Sequence, residues 1–156
     1  EGPFPTVLRD ETGAFLQKGG GEFGATTGRP RRCGWLDLVL LRHAVRTNGL
    51  TGLVITKLDV LSGLKTLRLA TGYRYQGKVL KEFPALHHVL SRSEPVYEEM
   101  EGWTEKVSGI TRLEEIPKPA RKYLQRIEKE AGVPLCLVST GASRGSQILL
   151  KDPFLS

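Results

Sequence analysis

Residues 35–56 read WLDLVLLRHAVRTNGLTGLVIT, and this stretch decides the predicted fold class. Apolar side chains recur three and four residues apart over residues 35–47, which predicts a largely buried helix. Asn48 and Gly49 form a helix stop signal. The β-branched run at 50–56 then predicts a short buried strand. A helix followed at once by a buried strand favours a mixed α/β fold.

The other predicted elements continue this alternation of helices and strands. They are one helical turn at 14–18, a half-exposed strand at 64–75, a hairpin turn at 76–78, a returning strand at 79–83, an amphipathic helix at 117–131, and strands at 135–138 and 147–150. Gly19, Gly20 and Gly21 predict a flexible break. Residues 84–96 carry no clear pattern.

Composition favours a soluble domain with an anionic partner. The chain has 156 residues with 39% hydrophobic and 26% charged side chains, which predicts one domain over residues 1–156. No apolar run is long enough to span a membrane and no signal segment opens the chain, so we expect a cytoplasmic protein with Cys33 and Cys136 reduced and buried. The net charge of +6 suits an anion, while 7% aromatic residues argue against a nucleic-acid binder.

The segment that precedes the predicted helix is rich in groups that bind anions. Residues 24–35 contain three glycines, two threonines and three arginines. Glycine lets the backbone approach a ligand closely, and arginine presents a planar fork to carboxylate or phosphate oxygens. The N-terminus of the helix adds a partial positive charge. This pattern predicts an anion-binding loop, with a solvated basic turn as the alternative, and fits phosphate, carboxylate or nucleic acid equally well.

Polar residues follow each of the two predicted buried strands. Lys57, Leu58 and Asp59 follow residues 50–56, and a Ser-Thr-Gly turn at 139–141 follows residues 135–138. Ligands of open α/β sheets gather at the carboxyl ends of strands. An aspartate there can accept two hydrogen bonds from the ring N–H and amino group of guanine, and a lysine stem can lie along the purine face. The pattern indicates a guanine-nucleotide site, with a solvated strand end as the alternative.

The residues predict neither a metal site nor a catalytic arrangement within this chain. His87 and His88 have no cysteine or carboxylate at metal-ligand spacing. The chain also lacks the Gly-x-x-x-x-Gly-Lys-Ser/Thr phosphate loop and any Ser/His/Asp or Cys/His arrangement.

Several segments resemble the adenylosuccinate synthetase family, in order and over essentially the whole chain. They are GPFPT at 2–6, DETG at 10–13, EFGATTGRPRRCGWLD at 22–37, TKLDVL at 56–61, YEEMEGW at 97–103, STG at 139–141 with Arg144, and DPF at 152–154. The resemblance implies the C-terminal α/β domain of a larger P-loop-NTPase-like enzyme. The N-terminal part, with the phosphate loop, the catalytic residues and the Mg²⁺ ligands, is absent from this chain.

The resemblance also implies a reaction and its ligands. The family joins IMP and L-aspartate into adenylosuccinate, on the way to AMP, with GTP as co-substrate and Mg²⁺ as cofactor. GTP first phosphorylates the purine oxygen of IMP, and the aspartate amine then displaces the phosphoryl group. We therefore expect a homodimeric enzyme without nucleic-acid or membrane partners. The 156-residue chain by itself is expected to be inactive.

Site residues follow from the resemblance position by position. The expected aspartate loop comprises Ala25, Thr26, Thr27, Gly28, Arg29, Pro30 and Arg31, with no chemical role for Pro30 itself. Arg29 would also reach the IMP ribose, and Arg31 would lie near the GTP phosphates. The expected guanine-binding residues are Lys57, Leu58, Asp59, Ser139, Thr140 and Gly141. Two rival interpretations stay open: a stand-alone guanine-nucleotide-binding module without turnover, and an RNA- or polyanion-binding domain using the arginines.

Overall fold

The computed structural model describes residues 2–152 and confirms the mixed α/β class. Pro153 and Phe154, part of the resemblance, lie outside the described residues. The helices are α1 (Glu11–Gly20), α2 (Leu38–Asn48), α3 (His87–Ser91) and α4 (Lys118–Ala131). The strands are β1 (Leu36–Asp37), β2 (Leu53–Ile55), β3 (Leu64–Tyr75), β4 (Lys78–Leu80), β5 (Glu94–Trp103), β6 (Leu135–Ser139) and β7 (Gln147–Leu149).

The strands form two sheets within the described residues. In the first sheet β3 pairs with β1 in parallel, with β4 in antiparallel, and with β5. The second sheet has the order β2-β6-β7, in which β2 is parallel and β7 antiparallel to β6. The predicted hairpin is confirmed: Gln76 and Gly77 connect β3 to β4 with φ of 47° and 76°, the positive values that a two-residue hairpin turn needs.

The chain divides into two compact units, each with its own core. One comprises Glu1–His43 with Arg68–Glu99, and the other Ala44–Leu67 with Met100–Ser156. In the first unit, the apolar side chains with 1% exposure or less include Leu38, Val39, Leu69, Ala70 and Tyr73. In the second unit the predicted apolar stripe of α4 is confirmed as buried, namely Ala120, Tyr123, Leu124, Ile127 and Ala131.

The flexible break predicted at Gly19–Gly21 is wrong, because α1 runs through it. Asp10 caps the helix by accepting a hydrogen bond from the Gly13 N–H at 3.0 Å. The helix therefore starts earlier than the sequence pattern suggests, and Gly19 belongs to its last turn. Gly21 ends it with φ of 60°, the left-handed conformation typical of a glycine after a helix.

The helix predicted at 35–47 begins at Leu38 and is less buried than expected. Leu38 and Val39 are its buried residues, while Leu40 is 46% exposed. Asp37 belongs to β1 rather than to the first helical turn, and its Oδ1 accepts a hydrogen bond from the Leu40 N–H at 3.0 Å. The carboxylate of Asp37 therefore caps the start of α2.

A strand does form within the predicted stretch 50–56, but it is not buried as expected, because β2 exposes one apolar face. Val54 lies opposite Leu137, which lies opposite Leu149 on β7. Val54 is 56% exposed and Leu149 64% exposed. Val138 and Ile148, which point to the other face, are buried. The second sheet thus carries an in-register apolar row that residues 2–152 leave open to solvent.

Other expectations concern thiols and membranes. Both cysteines are free thiols; Cys136 is buried as expected, whereas Cys33 is half-buried. Over the described part of the chain, no helix combines the length and apolarity that crossing a membrane requires.

The buried tyrosine of the first unit makes stability sensitive to alkaline pH. Burial, and next the hydrogen bond from Tyr73 Oη to Asp37 Oδ2 at 2.5 Å, raise the pKa of Tyr73 well above 10. The folded chain keeps this proton at pH values where the unfolded chain releases it, so stability is lost as pH rises above 10. We expect Tyr73→Phe to reduce the slope of unfolding free energy against pH by about 1.4 kcal/mol per pH unit, measured by urea denaturation between pH 9.5 and 11.5.

Tyr97 and Tyr123 also have raised pKa values, so the variant keeps a residual pH dependence. An identical slope in the variant and the original chain would contradict the assignment to Tyr73.

Candidate functional site

The basic loop of the first unit is a small hairpin. Phe23 and Pro30 form an antiparallel bridge. Within it, the Gly24 N–H donates to the Arg29 carbonyl at 2.8 Å, and the Gly28 N–H donates to the Gly24 carbonyl at 2.9 Å. Gly28 takes φ of 63°, which a residue with a side chain rarely adopts. The glycines of the motif therefore shape the turn that presents the arginines.

The base of this hairpin is tied to α1 and to Glu22, two residues beyond the end of α1. The Arg31 N–H donates to the Glu22 carbonyl at 2.9 Å, and the Gln17 side-chain amide donates to the Arg31 carbonyl at 2.8 Å. The Arg31 guanidinium also lies 3.3 Å from a Glu22 carboxylate oxygen. The sequence assigned no site role to Gln17 or Glu22, since their contacts with Arg31 depend on the fold of the hairpin.

The hairpin borders an open cavity of about 420 Å³. Its lining residues are Phe4, Gly24, Thr27, Arg29, Pro30, Arg31 and Arg32. Ala25, Thr26 and Gly28 do not line it, although all residues from 25 to 32 are exposed. Arg32 already makes contacts within the chain: both its terminal nitrogens donate to the Gly2 carbonyl, and its guanidinium lies 5.4 Å from the centre of the Phe4 ring.

The expected contribution of the helix N-terminus to this loop is not observed. β1 separates the loop from α2, and Asp37 already accepts the hydrogen bond of the Leu40 N–H. The positive charge at the cavity therefore comes from the guanidinium groups.

In the second unit, the two polar strand ends leave the same edge of a sheet. β2 and β6 are parallel neighbours, with Ile55 opposite Val138. Residues 56–59 and 139–141 therefore emerge side by side, as the sequence predicted. Lys57 takes the left-handed conformation with φ of 59°, which turns the chain sharply from β2 into the 3₁₀ turn Leu58–Leu61.

Asp59 presents an unusual carboxylate at this edge. Its Oδ1 atom is buried and has no hydrogen-bond partner among the described residues. The backbone around it is well ordered by local hydrogen bonds, since the Asp59 carbonyl accepts from the Ser62 N–H at 3.1 Å. Leu58 is 1% exposed and anchors the turn in the core. A buried acceptor without a donor is costly, so this oxygen is suited to a ligand that brings one.

The Ser139–Gly141 turn is held by hydrogen bonds to residues both distant and close in sequence. Thr140 is fully buried, and its hydroxyl donates to the Ile110 carbonyl at 2.8 Å. Its N–H donates to the Ser146 carbonyl at 2.9 Å, and the Ser139 hydroxyl donates to the Gly141 carbonyl at 3.0 Å. Thr140 therefore supports the turn from inside, and its side chain is not available to a ligand.

Comparisons with known proteins identify the family. The family model described as adenylosuccinate synthetase matches residues 1–148. The chain belongs to the adenylosuccinate synthetase family. It is 57% identical over 153 residues to the adenylosuccinate synthetase of Carboxydothermus hydrogenoformans, covering 98% of this chain and 36% of that protein. It is also 57% identical to the Syntrophus aciditrophicus enzyme, again over 36% of that protein.

A solved structure supports the same assignment. The fully ligated adenylosuccinate synthetase from Plasmodium falciparum matches with a TM-score of 0.92 and 37% identity, covering 97% of this chain and 37% of that chain. The chain thus spans little more than a third of the length of the adenylosuccinate synthetases it matches.

Proposed function

We propose that this chain supplies the aspartate-binding loop and the guanine pocket of an adenylosuccinate synthetase, the ligase that joins IMP and L-aspartate at the expense of GTP. Family membership supports this proposal, and the geometry of the two segments agrees with it. The other functional groups of the enzyme would lie in the part of the family fold that this chain does not span, which we propose is N-terminal to it.

The observation that carries the proposal is the buried Asp59 Oδ1 at the end of paired parallel strands. Guanine offers a ring N–H and an amino group side by side, so its edge can supply the donors that this carboxylate lacks. Adenine offers no such pair at the same edge. Lys57 and the Ser139–Gly141 turn leave the sheet beside Asp59 and would complete the pocket around the base.

The basic hairpin suits a substrate with two carboxylates. Arg29 and Arg31 line the cavity with Thr27, whose hydroxyl can donate to the same ligand. Holding aspartate by both carboxylates leaves its amine free to attack the phosphorylated IMP. Arg29 is further proposed to reach the IMP ribose, and Arg31 the GTP phosphates.

Mg²⁺ is assigned to residues outside this chain. Among residues 2–152, no group of three or more His, Cys, Asp or Glu side chains is placed to hold a metal ion. In the proposed reaction the ion supports phosphoryl transfer, while the residues of this chain bind and orient the purine base and aspartate. We further propose a cytoplasmic homodimer without nucleic-acid or membrane partners.

The proposal is tested in a chimeric enzyme, in which this chain replaces the matching 36% of the Carboxydothermus hydrogenoformans relative. We expect this chimera to form adenylosuccinate from IMP, L-aspartate and GTP, with product measured by liquid chromatography. A folded chimera that binds IMP but neither GTP nor aspartate would contradict the proposal.

The Arg29→Lys variant tests the aspartate loop within the chimera. Lysine keeps the positive charge but loses the planar fork that engages a carboxylate through two N–H groups. We expect the KM for L-aspartate to rise by about tenfold, since one charge-assisted hydrogen bond contributes about 1.5–3 kcal/mol. Initial rates at saturating GTP and IMP measure this effect.

Arg74→Lys provides a matched control, because Arg74 lies on β3 and does not line the cavity. Equal KM values for L-aspartate in the Arg29→Lys and Arg74→Lys variants would count against an aspartate-binding role of the hairpin.

A further inference from the structure

Arg31 already has a carboxylate partner within the protein. Its Nη1 atom lies 3.3 Å from Glu22 Oε2, and the two atoms satisfy the geometry of a hydrogen bond. The Arg31 side chain is 59% exposed and that of Glu22 27% exposed. A group proposed to bind the negative charge of a substrate is thus neutralised by a neighbouring side chain in the hairpin itself.

The backbone of Arg31 is held by hydrogen bonds on both sides, whereas its side chain is 59% exposed. Its N–H is bonded to the Glu22 carbonyl, and its carbonyl accepts from Gln17. Arg31 lines the 420 Å³ cavity whereas Glu22 does not. The guanidinium can therefore exchange the Glu22 carboxylate for a ligand in the cavity by rotating its side chain, without breaking the hairpin.

We propose that Glu22 is an internal counter-ion that occupies Arg31 while the cavity is empty and competes with the anionic substrate for it. This inference rests on the proposed function of the hairpin as the aspartate loop. Because the ligand must displace Glu22, the free energy it gains from binding Arg31 is reduced by the free energy needed to break the existing ion pair. Glu22 therefore lowers affinity for aspartate, and it keeps the empty loop from holding unrelated anions.

The test is Glu22→Gln in the chimeric enzyme. Glutamine keeps the size and the backbone hydrogen bond of Glu22 but removes its charge. We expect the KM for L-aspartate to fall about two- to fivefold with kcat unchanged, the range expected from an exposed ion pair. Succinate, a dicarboxylate without the amine, is expected to inhibit more tightly by the same factor. An unchanged or higher KM and inhibition constant would overturn the proposal and make Glu22 a support for Arg31 instead of a competitor.

Two further variants separate this inference from the proposed function. Glu99→Gln breaks the exposed Arg68–Glu99 ion pair, at 2.8 Å in the same unit, and is expected to leave both constants unchanged. Arg31→Gln is expected to raise the KM for L-aspartate and to abolish the gain from Glu22→Gln in the double variant. If Arg31→Gln leaves the KM unchanged, the assignment of Arg31 to aspartate binding is contradicted, and Arg29→Lys then decides whether the rest of the loop binds aspartate. If Arg31→Gln raises the KM for L-aspartate while Glu22→Gln does not lower it, only the counter-ion role of Glu22 is contradicted.

Discussion

The isolated 156-residue chain is expected to form no detectable adenylosuccinate, whereas the chimeric enzyme carrying the same residues is expected to form it. The chain spans 36% of the Carboxydothermus hydrogenoformans relative. Its proposed contributions are binding groups for aspartate and for guanine. Binding a substrate without stabilising the transition state leaves the chemical step uncatalysed.

Phosphoryl transfer depends on groups that clamp the phosphates and neutralise the developing charge. Within residues 2–152, the cavity of the hairpin offers three arginines, and no metal-binding group of side chains is present. Losing phosphate and metal contacts together removes many orders of magnitude in rate, since enzymes typically accelerate reactions by at least about 10⁶-fold. Liquid chromatography after hours of incubation at micromolar protein concentration would reveal even a small residual activity.

The same preparation distinguishes the rival functions. Circular dichroism first tests whether the isolated chain is folded. Weak GTP binding by calorimetry is then expected, because most charged phosphate contacts are proposed to come from the part of the family fold that this chain does not span. Tight GTP and GDP binding without IMP or aspartate would favour the stand-alone nucleotide-binding module. Tight RNA binding with a steep salt dependence would favour the polyanion-binding domain, and product formation would refute the expectation of inactivity.

The elements that sequence predicted well are those fixed by local patterns. The helix predicted at 117–131 is α4, and Gly132 ends it with φ of 69°. The strand at 64–75 matches β3 residue for residue. In both, the spacing of apolar side chains and the adjacent turn residues specify the element without reference to the rest of the chain.

The elements that sequence missed depend on distant partners. β5 contains four glutamates and a proline, which are poor strand formers, and it is stabilised by pairing with β3. One such contact joins Glu99 to Arg68 across 31 positions of sequence. For Val54, which lies in the exposed apolar row with Leu149, the sequence pattern predicted burial that the described residues do not provide. An apolar run predicts that a strand can be buried, but not which part of a protein covers it.

The candidate site likewise contains features that the sequence predicted and features that only the fold reveals. The proximity of Lys57–Asp59 and Ser139–Gly141 was predictable, because both follow short apolar runs and parallel strands end at one edge. The hydrogen bond from the Thr140 hydroxyl to the Ile110 carbonyl could not be predicted, because it joins residues 30 positions apart. The Glu22–Arg31 ion pair likewise requires the hairpin to bring them together. Motifs thus indicate the chemistry, while the fold decides which side chains remain available for it.

Asp59→Asn is expected to reduce kcat/KM for GTP about 100-fold in the chimeric enzyme. The proposed role of Asp59 is to accept two hydrogen bonds from guanine, and bonds to a charged acceptor contribute about 1.5–3 kcal/mol. Asparagine retains one acceptor but places an NH₂ donor against a donor of the base. Preference for GTP over inosine and adenine triphosphates should therefore weaken, measured as ratios of kcat/KM.

Xanthosine triphosphate sharpens this test, because xanthine carries a carbonyl where guanine carries its amino group. The amide of the Asp59→Asn variant can donate to that carbonyl, so we expect the variant to use xanthosine triphosphate better than the parent does. Asp10→Asn is the matched control: Asn can still cap α1 at the Gly13 N–H, so nucleotide preference should not change.

Stability separates a specificity role from a structural one. Asp59 Oδ1 is buried without a partner among the described residues, so removing the charge relieves a desolvation cost. A melting temperature equal to or above that of the parent chimera is therefore expected, even though kcat/KM for GTP falls about 100-fold. A drop in melting temperature with an unchanged ratio of GTP to inosine triphosphate use would show that Asp59 supports the 3₁₀ turn and does not read the base. The opposite pairing, lost discrimination in an equally stable protein, is the result that only a base-reading carboxylate explains.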